Sequence, residues 1–230
     1  YMESESPTIV KRRFVEIHPF QKLFELYVMD EGESKPVEDT ALCRKLEELL
    51  PHYDLVIVTD YGHGMLGPQS VELLCSEAKY LAINTQVNAG NLGFNTVSKY
   101  RRADFVCVSE NEIRLDARSR RKDLRAIVDD VVDRLSSERI IITRGSLGCL
   151  CYSREEGFSE VPAVAMQVVD RIGAGDAVFS VASLCAAQGA PMEVAGVLGN
   201  VAGAHAVGTV GNRNPIERVT FARHVEALIK

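Results

Sequence analysis

Apolar residues enter the chain in two β-rich runs, Thr-Ile-Val-Lys-Arg-Arg-Phe-Val-Glu-Ile over 8–17 and Leu-Phe-Glu-Leu-Tyr-Val-Met over 23–29, parted by His18-Pro19-Phe20-Gln21-Lys22. Two such runs across a short link that contains proline predict an antiparallel pair of strands. After the polar stretch 30–36, Leu42, Leu46, Leu49 and Leu50 recur at helical spacing, and Leu55-Val56-Ile57-Val58 forms a continuous apolar run ending at Asp60. The first pattern predicts a helix and the second a short buried strand. The alternation continues with a helix over 69–79, strands over 80–83 and 103–108, a helix over 124–135 and a strand over 139–143. Unbroken apolar strands separated by helices predict a parallel sheet covered on both faces. Residues 149–152 and 161–169 read as further strands near one end of that sheet. Helices over 174–188, 192–207 and 216–229 fill the last third, the last two announced by Pro191 and Pro215. There is no internal repeat, and the polar tracts 1–6, 88–95 and 118–122 read as the least ordered.

Composition narrows the function classes. The 230 residues are 46% hydrophobic and 25% charged, which suits one α/β domain or one domain with a small appendage. A net charge of -6 argues against nucleic acid as a partner and gives no polybasic membrane anchor. Six cysteines without a C-x-x-C pair read as buried, reduced thiols of a cytoplasmic protein, not as a zinc site. No apolar stretch approaches the roughly 20 residues of a membrane span, and the first residues lack the regions of a signal peptide. The chain opens on Tyr1 and not on Met, and reads as a piece of something longer.

The stretch most informative for chemistry is Val169-Asp170-Arg171-Ile172-Gly173-Ala174-Gly175-Asp176, directly before an Ala-rich apolar helix. The first amides of a helix point outward without intrahelical partners, and the helix dipole favours an anion there. A phosphate fits such a place, and Asp176 in the first turn is positioned to take a proton from an attacking hydroxyl. A tight turn whose acid merely complements the dipole explains the same four residues equally well. Elsewhere, Asp60 is either a substrate or metal contact or the cap of the turn that follows it. The five histidines are dispersed, with core or solvated roles favoured even for His63 at a strand end. Cys149 and Cys151 share one strand face and read as packing residues.

Asp170 to Asp176 resembles the Asp-Thr-Thr-Gly-Ala-Gly-Asp signature of the ribokinase-like (phosphofructokinase B type) carbohydrate kinases, and further segments match in order. Ile142-Thr143-Arg144-Gly145-Ser146-Leu147-Gly148 is similar to the family's nucleotide-binding turn, and Val58-Thr59-Asp60-Tyr61-Gly62-His63-Gly64 to its Ser-Asp-Tyr-x-Lys-Gly segment. Val108-Ser109-Glu110-Asn111 is similar to its strand-end Thr-Pro-Asn, and the run from Gly199 to Thr209 to its final nucleotide-side helix. Pro7-Thr8-Ile9-Val10-Lys11-Arg12-Arg13 resembles the lid strand of the family's heptose-phosphate kinase branch, in which the kinase is fused to an adenylyltransferase.

The resemblance implies a doubly wound, mainly parallel α/β sheet with a small antiparallel β lid, divided as lid 1–35 and nucleotide-binding core 36–230. It implies ATP and Mg2+ as cofactors and phosphoryl transfer to a small-molecule sugar or sugar phosphate, with no nucleic acid or membrane partner, in a cytoplasmic homodimer paired through the lid. Asp176 is then the base, and Gly173, Ala174 and Gly175 form the anion hole. Asn111 lies near phosphates or metal, Thr143, Gly145, Asn200 and Ala204 border the nucleotide, and Asp60 contacts the substrate.

Three departures from the family pattern bear on its metal chemistry. Arg114 stands where the family's Asn-x-x-Glu motif carries Glu, with Glu110 and Glu112 as substitutes at other angles. Ile172 replaces an oxygen-bearing Thr linked to monovalent cations, and Asn84-Thr85-Gln86 replaces Asp-Pro-Lys. The family's first strands, with a substrate-binding Asp and a Gly-Gly motif, precede the lid and are expected to be absent from this chain. The departures leave a rival reading, a catalytically weak kinase-like domain that binds nucleotide or sugar for regulation or assembly; nucleoside or vitamin kinase activity is a third.

Overall fold

Neighbouring residues along the central strands point to opposite faces of the sheet and into different cores. In a computed structural model, which describes residues 8–16, 21–29, 36–88, 91–165, 168–211 and 213–229, the main sheet has six strands. Its order is β3 (Val56–Asp60), β4 (Leu81–Thr85), β5 (Phe105–Ser109), β6 (Arg139–Thr143), β7 (Cys149–Ser153) and β8 (Gly157–Val161). The strands from β3 to β6 are parallel, and β7 and β8 are added antiparallel. On one face, Leu81, Ile83, Val106, Val108, Ile140 and Ile142 pack with α2 (Pro68–Glu77) and α4 (Leu124–Leu135). On the other, Ala82, Phe105, Cys107 and Ile141 pack with α5 (Ala174–Ala187) and α6 (Met192–Val207). Both faces being apolar is why the strands read as unbroken hydrophobic runs.

The remaining helices are α1 (Pro36–Leu49), packed on α2, α3 (Glu110–Asp116) directly after β5, and α7 (Arg218–Ile229), packed on α6. Glycines bring α6 close to its neighbours: a Cβ on Gly203 would stand 3.0 Å from Val178, and one on Gly196 only 2.5 Å from the Cys151 sulfur. Cys149 and Cys151 are both buried in this core with their sulfurs 3.7 Å apart, in the packing role expected of them.

A separate two-stranded antiparallel sheet joins β1 (Val10–Glu16) to β2 (Gln21–Val28), with Lys11 opposite Tyr27 and Phe14 opposite Phe24. Its two faces differ in character. Lys11, Arg13, Glu25 and Tyr27 share the polar face, and Val10, Phe14, Phe24, Leu26 and Val28 form an exposed, mainly apolar one that also carries Arg12. No helix among the described residues is long and apolar enough to cross a membrane.

Four sequence expectations need correction. The strand expected over 161–169 ends at Val161, because Pro162 follows and the N–H groups of Val169 and Asp170 both donate to Val207 O at 2.8 and 3.1 Å. The run at β3 is not fully buried: Val58 and Asp60 point inward but Ile57 is 39% exposed, since β3 is an edge strand. The described part of 88–95 is held by its own asparagines, with Asn95 buried and Asn88 and Asn91 bonded to each other and to Tyr61 O. The loop 118–122 is tied down by Arg114, which donates to the carbonyls of Arg120 and Lys122 at 3.4 and 2.9 Å. The tract 1–6 lies outside the described residues.

Candidate active site

Asp170 fixes the approach to α5. Buried at 6% exposure, it accepts the N–H of Ile172 through one carboxylate oxygen and that of Gly211 through the other, both at 3.0 Å. Together with the two bonds to Val207 O, this ties the loop before α5 to the C-terminal end of α6 and the turn beyond. Gly173 then takes a φ of +80° as the N-cap, a left-handed conformation that costs a residue with a Cβ roughly 1–2 kcal/mol. The first helical bond is from Ala177 N to Gly173 O at 3.0 Å, which leaves the amides of Ala174, Gly175 and Asp176 outside the helical ladder. A Cβ built on Gly175 meets nothing within 4 Å, so the space beside these amides is open.

Asp176 is partly buried in that first turn. Gln86 Nε2 donates to its Oδ1 at 3.0 Å, and the Tyr61 hydroxyl faces it closely enough for the two groups to shift each other's titration. Burial pushes the Asp176 carboxyl above the ordinary aspartate value, against the lowering effects of Tyr61, Lys11 and Gln86. Burial and the neighbouring Asp176 charge in turn raise Tyr61. Lys11 reaches this region from the lid, its Nζ lying 4.9 Å from the centroid of the Tyr27 ring, and Tyr27 meets His63 at 6.0 Å. Burial, with Lys11 nearby, lowers the His63 pKa, against the opposing charge of Asp60.

Two cavities meet at the start of α5. One, of 630 Å³, is bordered by Asn84, Gln86, Asn111, Thr143, Gly145 and Gly175. The other, of 380 Å³, is bordered by Thr143, Gly145, Ala174, Gly175, Asn200 and Ala204. Arg171 lines both. Asn111, Thr143, Gly145, Ala174, Gly175, Asn200 and Ala204 thus border one or both cavities, whereas Gly173 and Asp176 flank these lining residues in the chain without bordering either. Asp60 lines neither cavity; it is buried, accepting from Tyr100 Oη at 2.8 Å and Gly62 N at 3.0 Å and pairing with Lys99. This is the turn-cap geometry, with the carboxylate turned to internal partners.

The acids that could have replaced the missing Glu are also engaged. Glu112 closes a capping box on Ser109 N at 2.7 Å and accepts from Val87 N at 3.3 Å. Glu110 lies between Arg114 at 2.8 Å and Arg144 at 3.4 Å. Asn200 donates to the carbonyls of Val161 and Pro162 at 3.3 and 2.9 Å, bracing the cavity wall after β8. No group of three or more His, Cys, Asp or Glu side chains suited to a metal occurs among the described residues.

Sequence reasoning missed Tyr61, Arg171 and Lys11 as site residues and noted Gln86 only as an uncharged departure. The position of Gln86 immediately after a strand's carboxyl end, where open α/β sheets bind ligands, was the available signal. The histidines, dispersed in sequence, include one pair that the fold joins: His224 Nδ1 lies 3.3 Å from His205 Nε2 between α7 and α6.

An open α/β sheet with an anion-binding helix start, a carboxylate in its first turn and cavities at the strands' carboxyl ends is the layout of a small-molecule kinase. The family model described as pfkB family carbohydrate kinase matches residues 94–218, and the chain belongs to that family. It is 30% identical to the bifunctional protein HldE of Aeromonas hydrophila over 218 residues, covering 93% of this chain and 44% of that protein. It is 33% identical to the HldE of Koribacter versatilis, covering 92% of this chain and 43% of that protein. The chain therefore spans less than half the length of these curated relatives. Among solved structures it is similar to a Burkholderia thailandensis nucleoside kinase in complex with inosine (TM-score 0.68, 20% identity, 97% of this chain and 69% of that one). It is also similar to Thermotoga maritima ribokinase (TM-score 0.69, 14% identity, 97% and 71%).

Proposed function

We propose that this chain carries out ATP-dependent phosphoryl transfer to a hydroxyl of a sugar or sugar phosphate, with Asp176 as the general base. The observation that carries this reading is the junction at α5: the Asp176 carboxylate, held above its usual pKa, follows directly on the helix-start residues Ala174 and Gly175, whose amides lie outside the helical ladder and which border the cavities. ATP occupies the 380 Å³ cavity along Asn200 and Ala204, with its terminal phosphate at Gly173, Ala174 and Gly175. Asp176 takes the proton of the acceptor hydroxyl as its oxygen bonds to the γ-phosphorus, the bond from that phosphorus to the β–γ bridging oxygen breaks, and ADP leaves. The amides and Arg171 offset charge on the moving phosphoryl group, which is most of what such a reaction asks of a protein.

Mg2+ fits this donor set as an ion carried on the nucleotide. Asn84 donates to Cys107 O at 2.6 Å and keeps its buried Oδ1 without a hydrogen-bond partner, beside Asn111 at the wall of the larger cavity. Neutral oxygens of this kind suit an ion that retains most of its waters. Asn84 and Asn111 would hold it, and when bound it neutralises charge on the phosphates.

A phosphorylated sugar is the favoured acceptor because the lid brings the charge of Lys11, seated over Tyr27, near enough to act on both Asp176 and His63. A heptose phosphate is the specific candidate, supported by the likeness to HldE. The apolar outer face of the lid supports a homodimer paired through it. The test is ADP release from ATP and Mg2+ with a panel of sugars and sugar phosphates: turnover with a phosphorylated sugar above the rate with water is expected, and the absence of stimulation by any acceptor would refute it. A nucleotide-binding domain of low turnover is the second reading, favoured by the engagement of Glu110 and Glu112 with internal partners.

A further inference from the structure

Gln86 is mounted more firmly than a loop side chain needs to be. Its N–H donates to Asp60 O at 2.8 Å, and its carbonyl accepts from Asn95 Nδ2 at 3.1 Å. The same Asn95 amide nitrogen donates to Asp60 O at 2.8 Å, and its Oδ1 accepts from Lys99 at 3.0 Å. Gly62, with a φ of +67°, lets the chain pass where a Cβ would stand 2.7 Å from Asn95. The buried Asp60 and Asn95 thus hold the backbone of the residue after β4 from both sides. From that mount the side chain crosses to α5, 90 positions away in sequence, and donates to Asp176 Oδ1 at 3.0 Å.

We infer that Gln86 is a positioning residue for the phosphoryl transfer, a neutral donor that orients the Asp176 carboxylate toward the acceptor hydroxyl without adding a charge beside it. The inference rests on the reading of Asp176 as the base. Its physical content is the absence of charge. A lysine at the same place would also hold the carboxylate, but an opposite charge within about 4–6 Å typically lowers a carboxyl pKa by about 1–3 units and weakens the base. The amide fixes direction and leaves basicity to burial. The other groups that face Asp176 are Tyr61 from the loop after β3, Lys11 from the lid strand β1 and the buried Cys107 thiol of β5. Lys11 is the cation among these groups, and it comes from the lid strand.

The test compares the parent chain with Gln86→Lys and Gln86→Leu, reading the Asp176 carboxyl titration by ¹³C NMR, assigned through its loss in Asp176→Asn. Amide spectra of each variant check that the fold is retained. The Asp176 midpoint is expected to fall by about one unit or more in Gln86→Lys and to rise in Gln86→Leu, where a donor to the charged form is lost. Phosphoryl transfer from ATP is expected to fall about tenfold to a hundredfold in Gln86→Leu, with ATP affinity within twofold of the parent. A midpoint that moves in neither variant overturns the inference. Should Gln86→Leu lose its fold, the Gln86→Lys shift alone decides. Transfer that survives Asp176→Asn would instead overturn the base assignment, whatever the Gln86 titrations show, so the two failures are separable.

Discussion

Replacing Asp170 tests whether the anion-binding start of α5 is held from behind. The buried carboxylate accepts two N–H groups at 3.0 Å each, from Ile172 and Gly211. Hydrogen bonds to a charged group contribute about 1.5–3 kcal/mol each, and water reaching the partly buried donors offsets part of that loss in Asp170→Ala. A destabilisation of about 2–3 kcal/mol follows, which for a chain of this size lowers the melting temperature by roughly 4–12 °C. If half of that loss is disorder in the 170–175 loop that a bound phosphate must restore, ATP affinity falls about tenfold. Asp170→Asn should lie between parent and Asp170→Ala, because an amide has one oxygen for two donors and presents its own N–H to the second. Calorimetric ATP binding and a thermal melt on the three proteins read both effects. Parent-like affinity and melting in Asp170→Ala would refute the role given to Asp170.

The other predictions concern packing, charge and assembly. Gly196→Val should destabilise by about 1–3 kcal/mol, because its Cβ alone would stand 2.5 Å from the Cys151 sulfur and 3.0 Å from Val161; denaturant unfolding measures it. Burial raises the folded-state pKa of Asp176, so its contribution to stability is most favourable below the unfolded aspartate value and is lost as pH rises through the folded one. Asp176→Asn should accordingly melt higher than the parent at pH 7, with the difference closing toward pH 3. Phe24→Lys on the exposed face of the lid should leave the fold intact and shift sedimentation toward monomer, since among the described residues the Phe24 ring stacks on Phe14, at 4.4 Å within its own sheet.

What the sequence revealed, and what it hid, follow from the range of the forces involved. The boundaries of α4 and β6 could be read directly, because Leu124, Ile127, Val128, Val131, Val132 and Leu135 keep a helical period and Arg139–Thr143 is apolar on both faces. β8 went unread because Gly157–Val161 is only partly apolar, and α3 because its seven residues are too few to display a period. The start of α5 was legible as a local motif, its glycine, free amides and acid all lying within four positions. Gln86 was not, since its bond to Asp176 spans 90 residues and exists only once β4 lies across the sheet from α5. For Asp60, the motif was compatible with both a ligand and a cap, and its tertiary partners Tyr100 and Lys99 lie too far along the chain to be read from it.

The most direct measurement is single-turnover transfer from γ-labelled ATP to the best acceptor of the sugar phosphate panel, in the parent and in Asp176→Asn, with ATP affinity measured alongside. Loss of a positioned general base predicts a rate about 10²–10⁴-fold lower in Asp176→Asn at unchanged ATP affinity. Equal rates in the two proteins would contradict the assignment of Asp176 as the base.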